Sequence, residues 1–181
     1  MSRLLLSLLL LISGLSAHAT EKPNILWIYA EDTSPWMGCY GDVINAGATP
    51  HIDSIADSGV RFTRAYVPAP VCSATRSAMM VGQNAIRFGG HEHRSSRGAP
   101  KIHLPEAYQL LPKLLQDQGY TTFNHGKTDY NYVWDATIYN YAAKSKTDFS
   151  DLVRRQPFFG QIQTKGGKNN TWKFPANRKV D

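Results

Sequence analysis

Three short segments of the sequence hold residue types that do chemistry. Glu31-Asp32 sets two carboxylates side by side directly after an apolar run. Like charges so placed repel, and a hard, oxygen-preferring cation such as Ca²⁺ relieves the repulsion, although a surface turn accommodates the same pair. Cys72-Ser73-Ala74-Thr75-Arg76 opens a helical pattern. There the unsatisfied N–H groups and the helix dipole favour anions, and Arg76 at i+4 shares the face of Cys72. A nucleophile, an anion-favouring helix end and a guanidinium are brought together, with an inert core cysteine as the alternative. His125-Gly126-Lys127 offers an amine that would neutralise a tetrahedral oxyanion, or an ordinary exposed loop lysine.

Hydrophobic patterning shows what must hold these segments. Asn24-Ile25-Leu26-Trp27-Ile28-Tyr29 is continuously apolar and β-prone, which predicts a central strand covered on both faces and ending at the acidic pair. Thr49-Pro50 as cap and first turn, the stripe Ile52, Ile55, Ala56 and the stop Gly59 predict a short helix. Val60 to Tyr66 reads as a strand, Val67-Pro68-Ala69-Pro70 as a stiff connector, and Ser73 to Val81 as a helix closed by Gly82. Leu104 to Gln118 reads as helical, with Leu110, Leu111, Leu114 and Leu115 on one side, a kink or split at Pro112, and Gly119 as the stop. Tyr120 to Asn124 and Phe158 to Gln163 are further strands. The alternation predicts an α/β sandwich, and in open sheets of that kind ligand groups gather beyond the carboxyl ends of the strands. Tyr130, Tyr132, Trp134, Tyr139 and Tyr141 form an aromatic stretch suited to interior packing or to stacking on sugar rings.

With 181 residues, 42% hydrophobic and 11% aromatic, the chain has the material for one core, which excludes disordered and collagen-like classes. Cys39 and Cys72 are too few for a disulfide scaffold and lack zinc-ribbon spacing. Arg3, the apolar run Leu4 to Ile12, and Ala17-His18-Ala19 predict a secretory signal peptide over residues 1–19. The run is too short for a stable membrane anchor, which needs about 20 apolar residues. Export to a periplasm or extracellular space follows, where a Cys39–Cys72 bridge is permitted. The net charge of +6 is uneven: residues 20–143 hold 10 Lys/Arg against 11 Asp/Glu, and residues 144–181 hold nine against three. The basic stretch Gln163 to Asn170 is a solvated loop or an attractor of sulfated or phosphorylated polymers. No nucleic-acid reader motif accompanies it, so nucleic acid is not expected as a partner.

Taken in order, Asn-Ile-Leu-x-Ile with its acidic pair, Thr49-Pro50-His51-Ile52-Asp53, Cys72-x-Ala74-x-Arg76, Gly119-Tyr120-x-Thr122 and Gly126-Lys127 resemble the N-terminal portion of formylglycine-dependent sulfatases, from about Lys22 to Lys127. Glu31-Asp32-x-Ser34-Pro35 and Gly126-Lys127-Thr128-Asp129-Tyr130 are similar to bacterial relatives of heparan N-sulfatase.

The resemblance implies an alkaline-phosphatase-like three-layer α/β/α sandwich, of which residues 20–181 form the N-terminal part. It implies that a maturation enzyme oxidises Cys72 to formylglycine, whose hydrate attacks sulfur and then expels sulfate to regenerate the aldehyde. Arg76 would hold the hydrate, Lys127 the sulfate oxygens, and His93 the substrate; Glu31, Asp32 and the modified Cys72 would bind calcium. The substrate would be a sulfated glycan or aryl sulfate. His91 and His93 also make a conceivable zinc pair, without a supporting carboxylate pattern. Glu31 stands where the family commonly has Asp, and Asp129 where many members have His. The family's second metal-binding Asp-Asn or Asp-His pair is not found at Asp135, Asp148, Asp151 or Asp181. Two other readings therefore accompany the first: an inactive fragment or sulfated-glycan binding module, and a phosphoester or phosphonate hydrolase of the same superfamily.

Overall fold

The computed structural model describes residues 22–141 and 149–164. The expected signal peptide and most of the basic tail lie outside the described residues. Among those described, no helix is long and apolar enough to cross a membrane.

Strand β1 (Ile25–Ala30) is followed by helices α1 (Pro50–Ser58), α2 (Cys72–Val81) and α3 (Leu111–Asp117), strand β2 (Thr121–His125), the single turn α4 (Phe149–Leu152) and strand β3 (Phe158–Thr164). The three strands form one parallel sheet in the order β1-β3-β2. Ile25 stands opposite Phe159 and Thr122 opposite the same Phe159, so the strands end together and point their carboxyl ends the same way. Alternation along β3 divides the sheet faces. Phe159, Gln161 and Gln163 face α2, and Phe158, Gly160 and Ile162 face α4.

The α2 face carries the core. Ala74, Ala78 and Met80 of α2 pack with Phe88, Leu110, Tyr130, Tyr132, Ile138 and Tyr139, all buried. The aromatic stretch is thus interior packing rather than a sugar platform. Tyr130 and Tyr132 stack at 5.7 Å, and the Tyr130 and Tyr139 hydroxyls bond at 2.6 Å, with Gln161 Nε2 donating to Tyr139 at 2.8 Å. Burial pushes all three phenols up. On the opposite face Phe123 packs against Phe149 and Phe158. A side chain at Gly160 would run into the Phe123 ring. Helices on both faces of a parallel sheet are the three layers expected.

Of the three predicted helices with glycine stops, the first two form as expected. Pro50 occupies the first turn of α1 and Gly59 follows its last residue. Gly82 adopts the left-handed conformation at φ 67°, where glycine carries no steric penalty, and donates to the Ala78 carbonyl at 2.8 Å.

Three expectations are corrected. β1 is not covered on both sides: among the described residues it pairs only with β3, and Leu26 and Ile28 are 45% and 60% exposed. Val60 to Tyr66 forms no strand, because its apolar residues find no ladder partner; Val60, Phe62 and Tyr66 are exposed. The helix expected from Leu104 starts only at Leu111, and Pro112 lies in its first turn instead of kinking it, where its missing N–H has no cost. The bridge that the compartment would permit is not formed: Cys39 and Cys72 are both free thiols.

Candidate active site

The carboxyl ends of β1 and β2 and the first turn of α2 converge. Cys72 is the first residue of α2, after the extended Val71, with no side-chain cap competing for its helix end. Its thiol donates to Asp129 Oδ2 at 3.4 Å, and its sulfur lies 3.8 Å from His93 Nδ1. One turn on, Arg76 is 5% exposed and holds four partners. NH1 donates to Gln163 Oε1 at 2.6 Å and to the Lys127 carbonyl at 3.2 Å; NH2 meets Glu31 Oε2 at 3.4 Å; the guanidinium lies 5.0 Å over the Tyr29 ring. Tyr29 belongs to β1 and Gln163 to β3, so the fork is fixed by two strands at once. Planar donors of this kind suit the task better than an ammonium.

Lys127 follows β2 through Gly126, whose φ of 126° suits only glycine and whose missing side chain leaves room for Gln163. The turn aims the amine at Glu31, with which it pairs, and at Asp129 Oδ2 3.1 Å away. Asn124 supports it from below, accepting from Gln163 Nε2 at 3.1 Å and donating to the Lys127 carbonyl at 3.4 Å. Burial pushes the ammonium down, and the hydrogen bonds to Glu31 and Asp129 more than reverse this, leaving its pKa raised. Asp129 is the mirror case. Burial pushes its carboxyl up, and the Lys127 hydrogen bond and charge, with help from Arg94, bring it below the usual range.

Sequence reasoning assembled Glu31, Cys72, Arg76, Lys127 and His93, and the fold brings these together. Asp129, which the sequence presents as a replaced histidine within Gly126-Lys127-Thr128-Asp129-Tyr130, contacts Cys72, Lys127, Arg94 at 3.7 Å and Arg97 at 3.5 Å. Gln163, Asn124, Arg94 and Arg97 carried no signal, because each joins through contacts made across the fold. His91 is exposed.

Glu31, Asp32, Cys72 and Arg76 border one cleft of about 930 Å³ whose other walls include the apolar Val60, Phe62, Val67 and Met79. Asp32 ends this run in the left-handed conformation, at φ 56°. Among the described residues no three His, Cys, Asp or Glu side chains gather as a metal cage. Calcium takes six to eight oxygens, and a thiol is too soft to be one of its ligands. Two adjacent carboxylates would supply only part of such a shell.

The model of the family described as Sulfatase matches residues 23–175. The chain belongs to the sulfatase family. It is 38% identical over 111 residues to human arylsulfatase D, covering 59% of this chain and 18% of that protein. It is 36% identical over 124 residues to a Δ4,5-hexuronate-2-O-sulfatase of Bacteroides thetaiotaomicron, covering 66% and 24%. The chain thus spans about a fifth to a quarter of the length of these curated relatives. Among solved structures, a 2-O GAG sulfatase superposes with a TM-score of 0.63 at 26% identity, over 79% of this chain and 35% of that one. A second, solved with D-glucosamine-2-N,6-O-disulfate, superposes at 0.65 and 21% identity, over 84% and 36%. These neighbours carry the alkaline-phosphatase-like sulfatase fold, which the parallel sheet with helices on both faces reproduces in part.

Proposed function

We propose that residues 20–181 are the N-terminal part of a sulfatase catalytic domain that hydrolyses sulfuric esters on a sulfated glycan. The observation that carries this reading is the convergence of the Cys72 helix end, the Arg76 fork and the Lys127 amine at the carboxyl ends of parallel strands. A sulfate monoester presents three oxygens sharing negative charge. Lys127 neutralises it as a point charge, while Arg76, fixed by Gln163 and Glu31, orients the group at position 72. His93 Nδ1, beside the Cys72 sulfur, and Asp129 are placed to hold or move a proton at that position. Formylglycine at position 72 would supply an oxygen nucleophile that a thiol does not, and calcium held by Glu31 and Asp32 would supply further positive charge at the sulfate. Sequence likeness to the hexuronate-2-O-sulfatase supports a sugar substrate. The run Leu4 to Ile12 and Ala17-His18-Ala19 supports export.

The test is mass spectrometry of the peptide spanning Cys72 after co-expression with a formylglycine-installing enzyme, combined with aryl sulfate turnover by the full-length protein. Conversion of Cys72, with turnover abolished in Cys72→Ala, is expected. An intact thiol under those conditions, or turnover that survives Cys72→Ala, removes the reading.

A further inference from the structure

Beside Cys72 lies a second set of cations that sulfate-ester chemistry does not require. Arg94 and Arg97 come from the loop after Phe88, and both approach Asp129 Oδ1, while Asp129 Oδ2 faces the Cys72 thiol and Lys127. One carboxylate therefore separates the two guanidinium groups from the reacting position. In these contacts four cations, Arg76, Lys127, Arg94 and Arg97, share two carboxylates, Glu31 and Asp129. With Asp32 counted at the edge, positive charge still exceeds negative.

The loop holding the two arginines is anchored. The Arg94 N–H donates to Oγ of the fully buried Ser73 at 2.8 Å, and the buried Asn131 amide donates to the carbonyls of Gly90 and Glu92 at 2.8 and 2.7 Å. Arg97 N–H closes a turn on the Arg94 carbonyl at 2.9 Å, and Lys101 and Ser96 tie the same turn to its surroundings. Arg94 itself sits at φ 54°, which a long side chain adopts only when its neighbours impose it. Its Nε faces Asp129 Oδ1 at 3.7 Å, and the side chains of Arg94 and Arg97 keep 35% and 61% of their surface open to solvent. Each guanidinium thus pairs with one carboxylate oxygen and still presents surface to solvent.

We propose that Arg94 and Arg97, braced by Asp129, form a second anion-binding subsite that selects sulfated sugars bearing a further carboxylate or sulfate beside the ester to be cleaved. The assignment deepens the sulfatase reading above and rests on it for the first anion. Two tetrahedral or planar oxyanions on neighbouring ring carbons would then occupy the Lys127–Arg76 side and the Arg94–Arg97 side of Asp129. Forked arginine donors match both carboxylate and sulfate oxygens.

The test compares a neutral monosulfated sugar, a disulfated sugar and a monosulfated uronate on the full-length, matured protein. The wild type is expected to prefer the dianionic sugars through KM. Arg97→Ala and Arg94→Gln should reduce that preference about tenfold or more, the effect of one lost charge-assisted hydrogen bond, and Arg97→Lys should restore part of it. Loss confined to the disulfated sugar or to the uronate identifies which anion the subsite takes. An unchanged preference, or an equal fall for all three substrates, overturns the inference in favour of a purely structural role. Calorimetric binding of the disulfated sugar separates the two readings. If the wild type hydrolyses no sulfate ester yet binds this sugar with an affinity that Arg97→Ala weakens, the subsite stands and the hydrolase reading fails.

Discussion

At Arg76 the guanidinium divides its donors among Gln163, the Lys127 carbonyl and Glu31, and it does so almost wholly out of water. Arg76→Lys keeps the charge and loses the fork, so unfolding should become easier by about 1–3 kcal/mol. A urea midpoint at the wild-type value would show the fork to be idle. Lys127 and Asp129 bring a pH dependence with opposite limbs. The folded Lys127 pKa is above its unfolded value of about 10.4, so its contribution is complete below that pH and is lost as pH rises through the folded value. The folded Asp129 pKa is below about 3.9, so its contribution is complete above that pH and is lost as pH falls through the folded value. The pairing is therefore at full strength between about pH 4 and 10. Asp129→Asn should lower stability near neutrality and flatten the acid limb of a urea midpoint against pH profile; an unaltered acid limb would contradict this. Residue types made Cys72, Arg76 and Lys127 legible. Asp129 was not, because its partners Arg94 and Arg97 meet it only through folding, and its place in Gly126-Lys127-Thr128-Asp129 reads as the loss of a histidine.

Elements were legible where their ends are chemically marked. Pro50 fixes its own φ and Gly82 accepts the left-handed turn that ends a helix, and the helices bounded by Pro50, Gly59 and Gly82 appear within a residue of expectation. Val60 to Tyr66 and Leu104 to Leu110 failed for a common reason: apolar content states that a segment prefers contact, and only the tertiary partner decides its conformation. In β3 the fit is tight. Gly160 lies under the Phe123 ring, so Gly160→Ala should destabilise the sheet by about 1–3 kcal/mol through overpacking. Phe123→Leu introduced into that variant should cost less than it does alone, because the smaller side chain vacates the space. Strictly additive losses in a double-mutant cycle would mean that the two sites do not share it.

For the molecule as a whole, the α/β class was legible from alternation, and the strand order was not. Nothing in Phe158 to Thr164 states that this last strand inserts between the first two, since ladder partners are set by long-range packing. Among the described residues, this order leaves β1 with an open edge and an exposed Leu26–Ile28 surface. Unpaired edges of this kind template association. Ile28→Lys should therefore reduce concentration-dependent self-association in sedimentation measurements, and unchanged sedimentation would place the contact elsewhere. Hydrogen exchange should be slowest in the amides of β3, which is flanked on both sides, and faster along β1. Faster exchange in β3 than in β1 would contradict the strand order.

The same insertion governs the order of events on the ribosome. Asn24 at the head of β1 bonds to the Phe158 amide, 134 residues further along. At 5–20 residues per second, the first strand waits about 7–27 s for its neighbour to be synthesised. Through that interval Leu26-Trp27-Ile28 is an orphan apolar peptide in a nascent chain, a natural docking point for a holdase, and slower translation of codons before residue 158 would lengthen its exposure.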